Sequence, residues 1–185
     1  MKILFKQEIR NNGIIVLEKE EHIRTLCFSG NKKFNRIFFP NIQFYIRYRI
    51  ENRSYVYLGI EYSSLRVSFS KKPISDVNDL VFIPPQDSIN SGFVCTSHDL
   101  DYIYDGMSFK TLEELYQAVV LNYFSLDHAG LLKRTKKEDW ETFFCPERWT
   151  DTPKFKDYLN IKDKRQEYYS EVETRFNVNE ILSLK

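Results

Sequence analysis

Phe44-Tyr45-Ile46-Arg47-Tyr48-Arg49-Ile50 is the stretch that decides the fold class. Phe44, Ile46, Tyr48 and Ile50 recur at every second position, with Arg47 and Arg49 between them. That is the period of a β-strand with one face in a core and the other toward water. Upstream, Ile14-Ile15-Val16-Leu17 and Ile23-Arg24-Thr25-Leu26-Cys27-Phe28 flank a charged turn, Glu18 to Glu21, and Ser29-Gly30-Asn31 is a turn signal. Downstream, Tyr55 to Tyr62 and Leu65 to Phe69 continue the pattern. Short gaps between such runs predict an antiparallel meander.

The composition agrees. The chain has 185 residues, 42% of them hydrophobic and 29% charged, enough for one domain with a real core and short for two. Phe and Tyr are abundant, and Ala occurs only at Ala118 and Ala129, so large rigid side chains must fill the core. A sheet suits them better than a helical bundle. Abundant Lys, Asn, Ile, Phe and Tyr with little Ala also suits an AT-rich genome, as many phages and mobile elements have. A formal net charge of +1 excludes binding driven mainly by net positive charge.

Residues 71–107 are punctuated by Lys72-Pro73, Pro84-Pro85, Ser91-Gly92 and Asp105-Gly106 and read as a long, mostly irregular segment. A helix follows. Thr111 and Glu114 form a capping box, and Leu112, Leu115, Tyr116, Val119, Tyr123 and Leu126 share one side. From Thr135 the chain is charged, with helices expected over 137–144 and 162–176, separated by Pro146 and Pro153. The expected organisation is an α+β domain over 1–133 and a helical C-terminal extension over 134–185 packed on it. Trp140, Phe143, Phe144 and Trp149 would supply the docking rings.

Three cysteines, Cys27, Cys95 and Cys145, cannot close a disulfide set. The start, Met1 to Glu8, reaches a charge too early for a signal peptide, and no apolar run is long enough to span a membrane. A cytoplasmic location, in a bacterial host cell or phage-associated, is the expectation.

The segment Pro84-Pro85-Gln86-Asp87-Ser88-Ile89-Asn90-Ser91-Gly92-Phe93-Val94-Cys95 follows the strands and precedes the capped helix. This order resembles the ubiquitin-conjugating (E2) fold, in which a meander, a proline-rich stretch, an Asn-bearing loop and a Gly-x-aliphatic-Cys ending lead to a helix. Asn90-Ser91-Gly92-Phe93-Val94-Cys95 is similar to that ending, above all as it occurs in divergent prokaryotic E2-like proteins of plasmids and phages, the PRTRC-type protein B group. The resemblance spans residues 35–130. It implies an E2-like α+β fold, a protein partner, and Cys95 as a carrier of a ubiquitin-like modifier. Asn90 or Gln86 would then hold the oxyanion formed when an amine attacks the thioester. The family's His-Pro-Asn tripeptide is absent, the matching stretch being Pro85-Gln86-Asp87, and strands replace the amino-terminal helix.

His98 lies close enough in sequence to pair with Cys95, whereas Asp99 and Asp101 disfavour a thiolate. Cys95-x-x-His98 lacks the second paired motif of a structural zinc site, so no metal or other cofactor is expected. Tyr45, Arg47, Arg49 and Arg53 could stack on and clamp single-stranded nucleic acid, but Glu51 and Glu61 dilute the patch. His22, in the charged turn, is expected to be solvated. Three readings follow, in order: a non-catalytic E2-like protein-binding subunit of a phage or plasmid assembly, a thiol-dependent modifier carrier using Cys95, and a nucleic-acid-binding module on the Arg47/Arg49 face.

Overall fold

The computed structural model describes residues 1–28, 33–57, 65–82, 89–90, 93–94, 107–124 and 154–159. It is an α+β arrangement dominated by antiparallel sheet. The strands are β1 (Lys2–Ile9), β2 (Asn12–Lys19), β3 (His22–Phe28), β4 (Lys33–Phe39), β5 (Asn41–Glu51), β6 (Ser54–Tyr57), β7 (Leu65–Ser70), β8 (Ile89–Asn90), β9 (Phe93–Val94) and β10 (Ser108–Phe109). The helices are α1 (Leu112–Tyr123) and the single turn α2 (Phe155–Leu159).

β5 is the spine. Along one edge it pairs with β2 from Asn12↔Arg49 to Lys19↔Ile42. Its other edge is divided: Asn41 to Ile46 pair with β7, and Tyr48 to Glu51 pair with β6. β1 lies outside β2, β10 outside β6, and β9 then β8 outside β7. β5 and β6 are joined by Asn52-Arg53, with φ of 50° and 63°. Positive φ at both central positions is the primed turn whose twist suits a two-residue hairpin.

The meander expected from the sequence is broken at one place. β3 and β4 do not lie between β2 and β5; they pair with each other, His22↔Phe39 through Phe28↔Lys33, as a separate two-stranded ribbon. β2 and β5 close directly against each other beneath it.

The sheet is covered on both faces, unlike the one-sided arrangement expected from the alternation around Phe44. Ile15 and Leu17 of β2, Phe44, Ile46 and Tyr48 of β5, and Leu65, Val67 and Phe69 of β7 form one cluster with Leu115, Val119 and Val120 of α1. Ile14, Val16 and Tyr45 point the other way and pack with Leu4, Phe5, Ile74, Val81 and Phe155. Ile74 and Val81, in a segment read as irregular from the sequence, supply that second cover with Phe155, while Phe82 joins the first cluster. Phe69 and Phe82 exchange backbone hydrogen bonds of 2.8 and 2.7 Å, fastening the segment to the edge of β7.

The capping box forms as read. The Thr111 hydroxyl accepts from the Glu114 N–H at 3.1 Å, and the Glu114 carboxylate accepts from the Thr111 and Lys110 N–H groups. Of the helical extension, only 154–159 is described. Phe155 is fully buried in the second cluster, and its N–H donates to the Asp79 carbonyl at 2.8 Å. The Asp79 carboxylate in turn accepts from the Ser75 and Asp76 N–H groups. The boundary near residue 133, Leu126, the helices expected over 137–144 and 162–176, and the Trp140–Trp149 ring cluster lie outside the described residues.

Candidate functional site

Gln86, Cys95 and His98 lie outside the described residues. Asn90 is in β8, its backbone paired with Phe93 of β9, and Phe93 is in register with Arg66 of β7. Backbone pairing thus joins Ile89, Asn90, Phe93 and Val94 to the main sheet.

The four residues read as a nucleic-acid clamp are split between environments. Tyr45 is 1% exposed. Its hydroxyl is bonded to the Ser68 Oγ at 2.9 Å, its ring is 5.9 Å from that of Phe155, and the Arg66 guanidinium is 5.5 Å away. It has no face on which a base could stack. Arg47 is half-buried. Arg49 pairs with Glu51 at 3.1 Å, and Arg53 is exposed in the turn beyond. Only Arg49 and Arg53 reach the surface together at one end of the sheet.

The polar residues on this face hold one another. Gln43 Nε2 donates to Glu18 Oε1 at 2.9 Å and to the Ser70 hydroxyl at 2.8 Å, and its Oε1 accepts from the Ser68 hydroxyl at 2.9 Å. Glu18 also accepts from the Ile74 N–H at 2.8 Å, and Ser70 donates to the Lys72 carbonyl at 2.7 Å. Registry explains the match, because Gln43 lies opposite both Glu18 and Ser68. A carboxylate and an amide occupied in this way tie the 72–74 segment to the sheet and leave little capacity for acid–base work.

A second, half-buried contact links β1 to β5 across β2. The Tyr48 hydroxyl donates to Glu8 at 2.8 Å, beside the Lys6–Glu8 ion pair at 3.0 Å. Burial works to raise the Glu8 carboxyl, but the Tyr48 hydroxyl and Lys6 outweigh it and leave it below the usual range. Burial and the neighbouring Glu8 push the Tyr48 phenol well above its ordinary value.

The ribbon differs from all of this. Its residues alternate, so His22, Arg24 and Phe39 share one face, and Ile23, Thr25, Arg36 and Phe38 share the other. The first face meets the end of α1. The His22 ring stacks on Phe39 at 5.4 Å and 17°, and meets Phe124 edge-on at 5.6 Å. The Arg24 guanidinium lies 4.0 Å from the centre of the Phe124 ring, a cation–π distance. His22 is therefore a packed residue and not the solvated one expected. Burial moves the imidazole below its ordinary value, with Lys19 and Arg24 acting in the same direction against the hydrogen bond to Glu20.

The opposite face carries Ile23 and Phe38, directly opposite each other across the ribbon and 55% and 45% exposed. Sequence reasoning missed this pair. The available signal was apolar residues at both parities, with Ile23 beside Leu26 and Phe38 beside Phe39. No short ribbon packed on one side can bury both sets.

Among the described residues, no group of three or more His, Cys, Asp or Glu side chains could hold a metal ion, and no helix is long and apolar enough to cross a membrane. Comparison with protein-family models, with curated proteins and with solved structures finds no match to this chain.

Proposed function

We propose that this chain is a protein-binding module with an E2-like order of elements, a non-catalytic subunit of a phage- or plasmid-encoded assembly that contacts its partner through the outer face of the β3–β4 ribbon. The observation that carries the reading is the exposed Ile23–Phe38 pair on a two-stranded unit outside the main sheet. An apolar aromatic–aliphatic pair rimmed by Thr25 and Arg36 is the composition of a contact centre with a polar border. The described polar network, by contrast, is occupied by its own hydrogen bonds.

Replacing Ile23→Lys together with Phe38→Glu keeps a cross-strand attraction and removes the apolar surface. The double variant should keep the wild-type denaturation midpoint and no longer co-purify with the assembly from the native host. Undiminished co-purification rejects the ribbon face as the contact.

The carrier reading keeps one support. The β8–β9 pairing on β7 and the capped helix α1 packed on the sheet stand on either side of the Cys95 segment in the chain, which supports it. It is separated by thiol chemistry. In a binding module Cys95 alkylates no faster than Cys27 and Cys145; selective rapid modification of Cys95 would instead establish an activated nucleophile.

A further inference from the structure

We propose that His22 is a pH-sensitive pin: the neutral imidazole holds the β3–β4 ribbon against the end of α1, and protonation releases it. This inference stands on the ribbon's inner face and does not depend on what binds the outer one.

The geometry fixes the tautomer. His22 Nδ1 lies 2.9 Å from the Glu20 carbonyl oxygen, which can only accept, so Nδ1 carries the proton. Nε2 is buried and has no hydrogen-bond partner among the described residues. In the neutral ring that atom is a bare lone pair beside Phe39 and Phe124, which costs less to bury than a charged N–H. Protonation makes it an N–H with no acceptor among the described residues and puts a charge on a ring partly withdrawn from water. Both changes are costly in a water-poor contact.

The surrounding charges add to the cost. Lys19 at the end of β2 and Arg24 on β3 both oppose a cation here. β4 contributes the Phe39 ring and α1 the Phe124 ring. Glu20 offers its backbone carbonyl, and the Glu20 and Glu21 side chains are exposed in the turn. The direction of the linkage follows. An imidazole held below its ordinary value contributes stability that is fully present above the unfolded value near 6.5, begins to fall below it, and is lost as the pH drops through the folded value. The ribbon is the unit that gives way, because a two-stranded hairpin is marginal without its packing. The main sheet keeps its cover on both faces.

The test is amide hydrogen exchange of the full chain at about pH 7.5 and about pH 5, expressed as protection factors, with the His22 ring titration followed by NMR. Protection in 22–28 and 33–39 should fall by about tenfold for each pH unit by which the His22 ring titrates below its ordinary value. Protection in β2 and β5 should hold. In His22→Phe and His22→Gln the ribbon should show the same protection at both pH values. Equal ribbon protection at both pH values in the wild type overturns the proposal. So does a loss shared equally by β2 and β5, a loss that persists in both variants, or a His22 ring that titrates at or above its ordinary value. Should neither variant fold, the wild-type ring titration and the ribbon-to-sheet ratio decide it alone.

Discussion

The β2–β5–β7 block and the β3–β4 ribbon are built from similar residues and reach opposite solutions. In the block Glu18, Gln43, Tyr45, Ser68 and Ser70 on the second face meet one another across the strands, and apolar cover arrives from α1 on one face and from Ile74, Val81 and Phe155 on the other. In the ribbon one face packs through three rings and a guanidinium, and the other leaves Ile23 and Phe38 in water. Alternation alone does not decide whether a face is open. The decision rests on what the rest of the chain lays over it.

That contrast can be broken most severely at Phe155. Phe155→Ala removes the fully buried ring that lies over Tyr45 and should cost about 3–5 kcal/mol in urea unfolding. If the cost is instead below about 1 kcal/mol, the second face is closed by something other than this ring. Gly13→Ala comes next. A Cβ there would sit 2.3 Å from the Tyr48 ring, so the ring that reaches Glu8 must shift. The expected loss is about 1–3 kcal/mol by the same measurement. In Tyr48→Phe the Glu8 carboxyl loses its hydroxyl donor, and its titration, followed by NMR, should move upward toward the ordinary value.

Thr111→Ala should cost about 1 kcal/mol, because the Glu114 N–H loses its acceptor at the start of α1. The smallest effect belongs to the ribbon's outer face. Phe38→Ser and Ile23→Thr should each stay within about 0.5 kcal/mol of wild type, because little burial is lost. A large penalty at either position would mean that the outer face is covered, as both faces of the β2–β5–β7 block are.

Parts of this architecture were legible beforehand because the deciding contacts are local. The Thr111–Glu114 box needs only residues within one helical turn, and the strand character of 44–50 is a period of two. The second face was not legible. Gln43, Ser68, Ser70 and Glu18 read singly as solvent-facing, and become interior residues only once registry puts Gln43 opposite Glu18 and Ser68. Phe155 stands in a charged tail, and nothing near it announces the Asp79 carbonyl and the Tyr45 ring that receive it. The same holds for the candidate surface: that Ile23 and Phe38 stand opposite each other depends on a pairing that leaves β3 and β4 out of the main sheet. Of the thiol constellation, only the backbone of Asn90 falls among the described residues.

The ribbon also bears on how the chain reaches its native state. Lys19 and Ile42 are partners at the mouth of the β2–β5 ladder, and His22 and Phe39 are partners at the base of the ribbon. Hairpins form within about 1–10 μs, so the ribbon, though marginal before its inner face is packed, can form transiently and splint the intervening chain while β2 and β5 meet. Shortening the loop that β2 and β5 must close from the whole of 20–41 to the few residues around the splint spares about 1.5 kcal/mol of closure entropy. A hairpin that adds no strand to the sheet would then act as its zipper-pull, setting how fast the two central strands find each other.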